Sequence, residues 1–287
     1  MPMSGASDFE MYQQIKCQAQ QLARLILDVK KPIQRPQVSY FLSQAKLLCE
    51  LPIQEESMKL GGISCELLKS LKPYIGHFIS GEWTAQRTLM AVNMHLPGFW
   101  QKLMTTPPMG DYARLCADHI LSNRDICELS FLELGAGVGN LTSLIAKNMK
   151  SYLRTDKEAK LLNEKWQVQQ EVYDFDKPAK WRDIHTVAAV NALHCAQNKR
   201  ATLSYIYEIL RSGGSLIFSE GQNPVLDNEP WALNLLFGFY DGWWDRGGFL
   251  TRTEWIETLD EVGFKNINFI KMNAGVYDLG GLIWAQR

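Results

Sequence analysis

A run of apolar residues that breaks into alternating glycines, FLELGAGVGN over 131–140, constrains this chain more than any other stretch. Phe131, Leu132 and Leu134 read as a buried strand, and Gly135, Gly137 and Gly139 permit a turn too tight for residues that carry a Cβ. A helix-length amphipathic pattern follows over about 138–148. Strand, glycine turn and helix in that order begin a β-α-β unit, which belongs in a parallel sheet covered by helices. The alternation continues: strands are expected over 130–134, 151–155, 169–173, 186–191 and 215–219, with helices over 157–164 and 199–210. A helix over 253–262, opened by Thr251 or Thr253, precedes closing strands over 266–272 and 280–285, joined as a hairpin through Asn273, Ala274 and Gly275.

The first part has a different texture. Met11, Ile15, Leu22, Leu25, Ile26 and Val29 recur at helical spacing over 8–30, and further helical patterns cover 38–50, 64–71, 85–94 and 111–121. A helical domain over 1–122 followed by an α/β domain over 123–287 is therefore expected. With 46% hydrophobic and 21% charged residues the composition is that of a globular protein. Thirty Lys and Arg against 31 Asp and Glu leave a net charge of -1, so no global field gathers nucleic acid or an anionic membrane. The six cysteines stand singly, without a C-x-x-C pair or a nearby histidine at ligand spacing, and no metal site is expected. No basic segment leads into an apolar run and no 18 consecutive residues are apolar, which fits a cytoplasmic protein off the membrane.

The glycine loop offers backbone amides and a helix amino terminus to a ligand. A dinucleotide loop of the form G-x-G-x-x-G requires glycine at 140, where this chain has Asn140, and the resulting G-x-G-x-G favours S-adenosyl-L-methionine over NAD. Gly135, Ala136, Gly137 and Gly139 would hold that cofactor. Asp156, at the end of the second strand, can accept both ribose hydroxyls, or cap the helix that begins at Lys157. After the third strand Asp174 can take the adenine amino group and Phe175 can pack on the ring. Glu133 would be a buried charge inside the first strand unless it reaches the cofactor or a loop amide.

The fourth strand ends in VNALHCA and the fifth in LIFSEG, which puts Asn191 and His194 beside the cofactor crevice and Glu220 on the neighbouring tip. A neutral imidazole abstracts protons near physiological pH, and a carboxylate holds its tautomer and stabilises the imidazolium. His194 and Glu220 are the candidate catalytic pair, and replacing Glu220 by Gln is expected to cost less than removing the imidazole. The aromatic segment over 221–250 admits two readings. A stripe from Trp231 to Phe239 packs into a core without a ligand, whereas glycines at 242, 247 and 248 around Trp243 and Trp244 fit a lid over a pocket mouth.

From Leu129 onward the chain resembles class I S-adenosylmethionine-dependent methyltransferases, and more narrowly the C-methylating domains of polyketide synthases. The resemblance rests on LELGAGVGN, RTDKE, DFDKPAKW, VNALHCAQNKRATL, LRSGGSLIFSEG and FGFYDGWWDRGGFLTRTEWIETLDEVGF. It implies an α/β class I methyltransferase fold with a Rossmann-like seven-stranded sheet and an α-helical amino-terminal lid domain. It also implies a catalytic dyad at His194 and Glu220, and an aromatic lid in which Tyr240, Trp243 and Trp244 meet the substrate. The implied partner is an acyl carrier protein presenting a phosphopantetheine-bound acyl chain, methylated at the α-carbon of a β-ketoacyl thioester or at an oxygen. Val138, Asn140 and the Asp245-Arg246 pair depart from the family's pattern, which bears on the shape of the pocket.

Overall fold

Strand β1 (Ser130–Leu134) is the centre of the architecture, and every residue after Ser130 in it is buried. The computed structural model describes residues 17, 19–29, 42, 45–50, 72–80, 82–83, 91, 101, 104–105, 109–162, 167–221, 249–274 and 277–287. The chain divides into two units: Met1–Leu103 with Asn223–Phe249 and Asn273–Asp278, and Met104–Gln222 with Leu250–Met272 and Leu279–Arg287.

In the first unit, residues 19–27 and 45–50 are helical, as the periodicity over 8–30 and 38–50 predicts. Leu22 and Ile26 are buried on one stripe, and Gln20 Nε2 donates to the Leu48 carbonyl at 3.0 Å. A short helix α1 (Ile75–Ile79) is flanked by a stack in which Trp83 lies 4.7 Å from the His77 ring and 5.7 Å from the Tyr74 ring. The patterns over 64–71 and most of 85–94, together with Tyr240, Trp243, Trp244 and nearly all of 221–250, lie outside the described residues.

The second unit holds a seven-stranded sheet in the order β3-β2-β1-β4-β5-β7-β6, the sheet that the resemblance implies. The remaining strands are β2 (Ser151–Asp156), β3 (Gln169–Val172), β4 (Ile184–Val190), β5 (Leu210–Glu220), β6 (Lys265–Ala274) and β7 (Tyr277–Gln286). Strands β1 to β5 pair in parallel, and β7 runs antiparallel to β5. The chain moves outward from β1 through β2 to β3 and then returns to β4 on the other side of β1. Connections therefore diverge at β1 and β4, and a crevice opens at their carboxyl ends.

Among the described residues this unit holds five α-helices: α2 (Met109–Ser122), α3 (Arg124–Glu128), α4 (Asn140–Ile145), α5 (Lys199–Ile209) and α6 (Arg252–Val262). Alternation along the strands sends Leu132, Leu134, Val187, Leu216 and Phe218 to one face, where they pack with Leu203 and Ile206 of α5 and Trp255 and Leu259 of α6. Phe131, Ala188 and Ile217 go to the other face, against Cys116 and Ile120 of α2 and Leu141 and Ile145 of α4. Of the two candidate caps for α6, Thr251 is used, with Glu254 completing a capping box.

The sequence and the structure differ at several places, among them the closing hairpin, where Asn273 and Ala274 belong to β6 and not to the turn. The helix after β1 starts at Asn140 rather than 138, because Gly139 takes φ 86° as its amino-terminal cap, and its end tightens into a 3-10 turn over Ala146–Asn148. Of the helix expected over 157–164, the described residues form a 3-10 turn, Ala159–Leu161. Strand β5 begins at Leu210, because Ile184 pairs with Leu210 before a register shift restores the ladder at Thr186. Finally, α2, whose texture matches the amino-terminal helices, belongs to the second unit.

Candidate active site

The loop from β1 to α4 is built by three left-handed glycines, Gly135 at φ 59°, Gly137 at 54° and Gly139 at 86°. A Cβ at Gly135 would stand 2.7 Å from Ala192 Cβ and 3.3 Å from the Phe175 ring, so that glycine lets three loops meet. The buried Ala136 donates its N–H to the Thr155 carbonyl at 2.9 Å and accepts from Gly139 N–H at 2.9 Å. Loop shape is thus held by backbone hydrogen bonds within the protein.

Both sides of the Gly137 residue are held from β2. Asp156 Oδ2 accepts its N–H at 2.8 Å, and Arg154 Nη2 donates to its carbonyl at 2.7 Å. The other Asp156 oxygen accepts Glu158 N–H at 2.9 Å, an Asx turn that diverts the backbone from the expected helix. Capping and ligand readings of Asp156 are therefore not exclusive: each carboxylate oxygen spends one lone pair on backbone and keeps capacity for a hydroxyl. Arg154 is fully buried, and its Nη1 donates to the Leu161 carbonyl at 3.0 Å and to Gln170 Oε1 at 2.8 Å. Sequence reasoning missed this residue, since an arginine at an alternate strand position reads as solvent-facing.

Glu133 is buried and its Oε2 accepts from the Thr142 hydroxyl and, at 2.6 Å, from the Tyr152 hydroxyl. These hydroxyls take the place of the loop amide expected from sequence, and they tie β1 to the first turn of α4 and to β2. Burial pushes the Glu133 carboxyl above its ordinary range, opposed by the two hydroxyl donors and by Arg154.

After β3, Phe175 is half-buried against the main core and beside Gly135. Asp174 stays about a third exposed, with local partners in Asp176 N–H at 3.2 Å and Lys177 Nζ at 3.4 Å. Asp176 Oδ1 accepts from Gln197 N–H at 2.9 Å and from the Thr202 hydroxyl at 3.1 Å, which fastens this loop to the start of α5. Asn191, just past β4, adopts φ 48° and donates its N–H to the Ser219 carbonyl at 2.9 Å. Both polar atoms of its side chain are buried without a protein partner. An orphaned buried carboxamide at a strand tip is unfavourable unless a ligand satisfies it.

His194 and Glu220 are brought together as expected. His194 Nδ1 lies 2.6 Å from Glu220 Oε2, and the side chains are 1% and 0% exposed. The second oxygen, Oε1, accepts three consecutive amides of the turn that carries the histidine: Ala192 at 2.9 Å, Leu193 at 2.6 Å and His194 at 3.3 Å. An ionised carboxylate only accepts, so Nδ1 bears the proton and Nε2 the lone pair. Glu220 therefore sets the backbone of the turn as well as the tautomer. Among the described residues no group of three or more His, Cys, Asp or Glu is placed to hold a metal ion.

Residues 109–268, more than half of the chain, match the family described as "Methyltransferase domain". The reducing polyketide synthase ppsB of Aspergillus oryzae is 29% identical over 163 residues, which are 48% of this chain and 6% of that protein. The 3-methylorcinaldehyde synthase of Sarocladium schorii is 24% identical over 263 residues, 79% of this chain and 9% of that protein. The chain thus spans less than a tenth of the length of these curated relatives. Among solved structures, the CurJ carbon methyltransferase superposes with a TM-score of 0.75 at 16% identity, covering 99% of this chain and 93% of that one. The CMeT domain of the citrinin polyketide synthase gives 0.70 at 17% identity, covering 95% and 88%. The trans-methyltransferase CalH, in complex with SAH, gives 0.72 at 17% identity, covering 98% and 90%. At these identities the likeness is one of fold.

Proposed function

We propose a reaction for a chain that belongs to the Methyltransferase domain family and is an S-adenosylmethionine-dependent methyltransferase related to those of polyketide synthases. The reaction is methylation of an acyl chain held as a phosphopantetheine thioester on an acyl carrier protein, at the α-carbon of a β-ketoacyl group. The residues on the crevice fit the donor. Left-handed glycines open the loop backbone, Asp156 keeps carboxylate capacity for ribose hydroxyls, Phe175 offers a ring face beside Gly135, and the unpartnered Asn191 carboxamide awaits a polar ligand. Glu133 would act from below, by holding the loop helix through Thr142. When bound, S-adenosylmethionine supplies an electrophilic methyl group.

The observation that carries the acceptor reading is the buried His194–Glu220 pair at 2.6 Å. Glu220 keeps the proton on Nδ1, and His194 Nε2 takes the proton from the carbon flanked by ketone and thioester, giving a carbon nucleophile at the crevice. Glu220 then stabilises the imidazolium in a site shielded from water. An α-carbon between two carbonyls is acidic enough for an imidazole base, so the arrangement needs no stronger one. Tyr240, Trp243 and Trp244 are proposed to line the acyl channel, and the helical segment over 1–122 to serve as the lid domain.

The test offers β-ketoacyl, β-hydroxyacyl and free acyl substrates in parallel with S-adenosylmethionine and reads methyl gain by intact mass. Gain on the β-ketoacyl carrier, with exchange of its α-proton lost in His194→Ala, is the expected result. Gain on the β-hydroxyacyl carrier alone would establish oxygen as the acceptor, gain on free substrate alone would remove the carrier, and no donor binding would leave a docking module.

A further inference from the structure

Buried side-chain atoms without a partner are not scattered through the second unit. Among the described residues they are Asp111 Oδ2, Arg154 Nε, both amide atoms of Asn191, and Trp255 Nε1. The tryptophan sits on α6 in the core, whereas Arg154 and Asn191 border the crevice. Asp111 lies near the start of α2, in a stretch that played no part in the sequence reading of the site.

Contacts of the residues around Asp111 place its segment. Asn140, the first residue after the glycine loop, donates to the Met104 carbonyl. Gly110 lies so close to Thr105 that a Cβ would come within 2.4 Å of the Thr105 carbonyl oxygen. On the other side of Asp111, the Tyr112 carbonyl accepts from the Ser219 hydroxyl at 2.9 Å, and the Ser219 carbonyl accepts from Asn191 N–H at 2.9 Å. Ser219, immediately before Glu220, thus joins Asn191 to Tyr112, the chain neighbour of Asp111. The Asp111 segment runs over the carboxyl ends of the strands, from the glycine-loop helix to β5.

Chemistry then selects the ligand group. Asp111 Oδ1 pairs with Arg114, which is 52% exposed, while the Asp111 side chain is 9% exposed and its Oδ2 has nothing. A buried carboxylate oxygen without a donor is strongly unfavourable, and an ammonium is the donor that best relieves it. S-Adenosylmethionine carries one, on the amino-acid end of the molecule. We infer that Asp111 Oδ2 accepts a hydrogen bond from the ammonium group of the methyl donor, and that α2 contributes this anchor to the donor site. The inference rests on the donor assignment made above.

The test uses two nucleosides that differ in the amino-acid tail, titrated calorimetrically into the full chain. S-Adenosylhomocysteine has the ammonium, and 5′-methylthioadenosine lacks it. Asp111→Asn is expected to weaken S-adenosylhomocysteine binding about ten- to hundredfold, the scale of a hydrogen bond to a charged group, and to change methylthioadenosine binding less than about twofold. Arg114→Ala breaks the same ion pair but keeps Oδ2, and should leave the affinity for S-adenosylhomocysteine near that of the wild type. Equal binding of S-adenosylhomocysteine by Asp111→Asn and wild type overturns the inference, as does an equal loss for both nucleosides. If the wild type binds neither, the donor assignment fails first and takes this inference with it.

Discussion

Replacing Glu220 by glutamine tests how the dyad is built, and the structure reverses the mild outcome that sequence alone suggests. Glutamine has the same shape but only one acceptor oxygen. In the native site Oε1 faces the amides of Ala192, Leu193 and His194, all of which can only donate, while Oε2 faces His194 Nδ1. The glutamine carbonyl is therefore forced toward the three amides and its NH2 toward the imidazole. Nδ1 must then accept, the ring proton moves to Nε2, and the base loses the Nε2 lone pair that the proposed proton transfer uses. In Ser-His-Asp triads, the equivalent loss of tautomer control lowers the rate by about 10⁴. A fall of about 10³–10⁴ is expected here, equal to roughly 4–5.5 kcal/mol of barrier.

The variant should nevertheless fold, since the three amides keep their acceptor. Glu220→Ala, in contrast, strands three buried N–H groups at about 1–3 kcal/mol each and endangers the fold itself. The assay is single-turnover methylation of a β-ketoacyl carrier at saturating S-adenosylmethionine, with far-ultraviolet circular dichroism and donor titration as controls. Glu220→Gln within about tenfold of the wild-type rate, with fold and donor affinity intact, would sink the tautomer argument.

Three further outcomes follow from the crevice and its surroundings. Arg154→Met removes the donors to Gly137, Leu161 and Gln170, and should cost about 2–4 kcal/mol of stability in urea titration while raising the KM for the donor far more than that for the acyl carrier. A parallel rise in both KM values would reduce Arg154 to a core brace. Gly135→Ala places a methyl 2.7 Å from Ala192 Cβ in a left-handed backbone, so donor affinity should drop by more than the roughly 1–2 kcal/mol of backbone strain, measured by calorimetry. Burial lowers the His119 pKa below its ordinary 6.5, so above that value the folded and unfolded states are both neutral, and as pH falls through the lowered folded value the unfolded chain has gained the proton first. Stability should thus decline on acidification below 6.5, and His119→Gln should show a smaller decline in urea midpoint; an identical decline would remove His119 from the account.

Local chemistry was legible where it was self-sufficient. Strand β1 was readable to the residue, because a short run whose Phe131, Leu132 and Leu134 are apolar ends abruptly in the glycine turn at Gly135. The tips of β4 and β5 were readable too, since a histidine and a glutamate that close two buried parallel strands must meet near the same edge. What escaped was set by partners distant in sequence. Arg154 looks like a surface residue until its guanidinium is seen holding the Gly137 carbonyl. Arg211 to Gly214 look like a turn until Leu210 pairs with Ile184 and carries β5 through them. Asp111 and Arg114, three residues apart on a helix, look like an ordinary surface pair, and only burial of one side reveals a carboxylate oxygen left over.

These misses have a common physical cause. Sequence periodicity reports which face of an element is apolar, but a charged side chain on the wrong face is silent about whether it is a solvated exception or a satisfied one. In this fold the exceptions collect at the carboxyl ends of β1, β2 and β5: Glu133 on the Thr142 and Tyr152 hydroxyls, Arg154 and Asp156 on Gly137, Glu220 on three amides. Arg154, Asp156 and Glu220 fix backbone that apolar packing cannot hold in a left-handed or turning conformation, and Glu133 holds two hydroxyls. The charged residues that break the hydrophobic pattern are therefore the ones that shape the crevice. Beside them stand the buried polar atoms without a protein partner, Arg154 Nε, Asp111 Oδ2 and the Asn191 carboxamide, and a buried polar atom left in that state is unfavourable unless a ligand satisfies it.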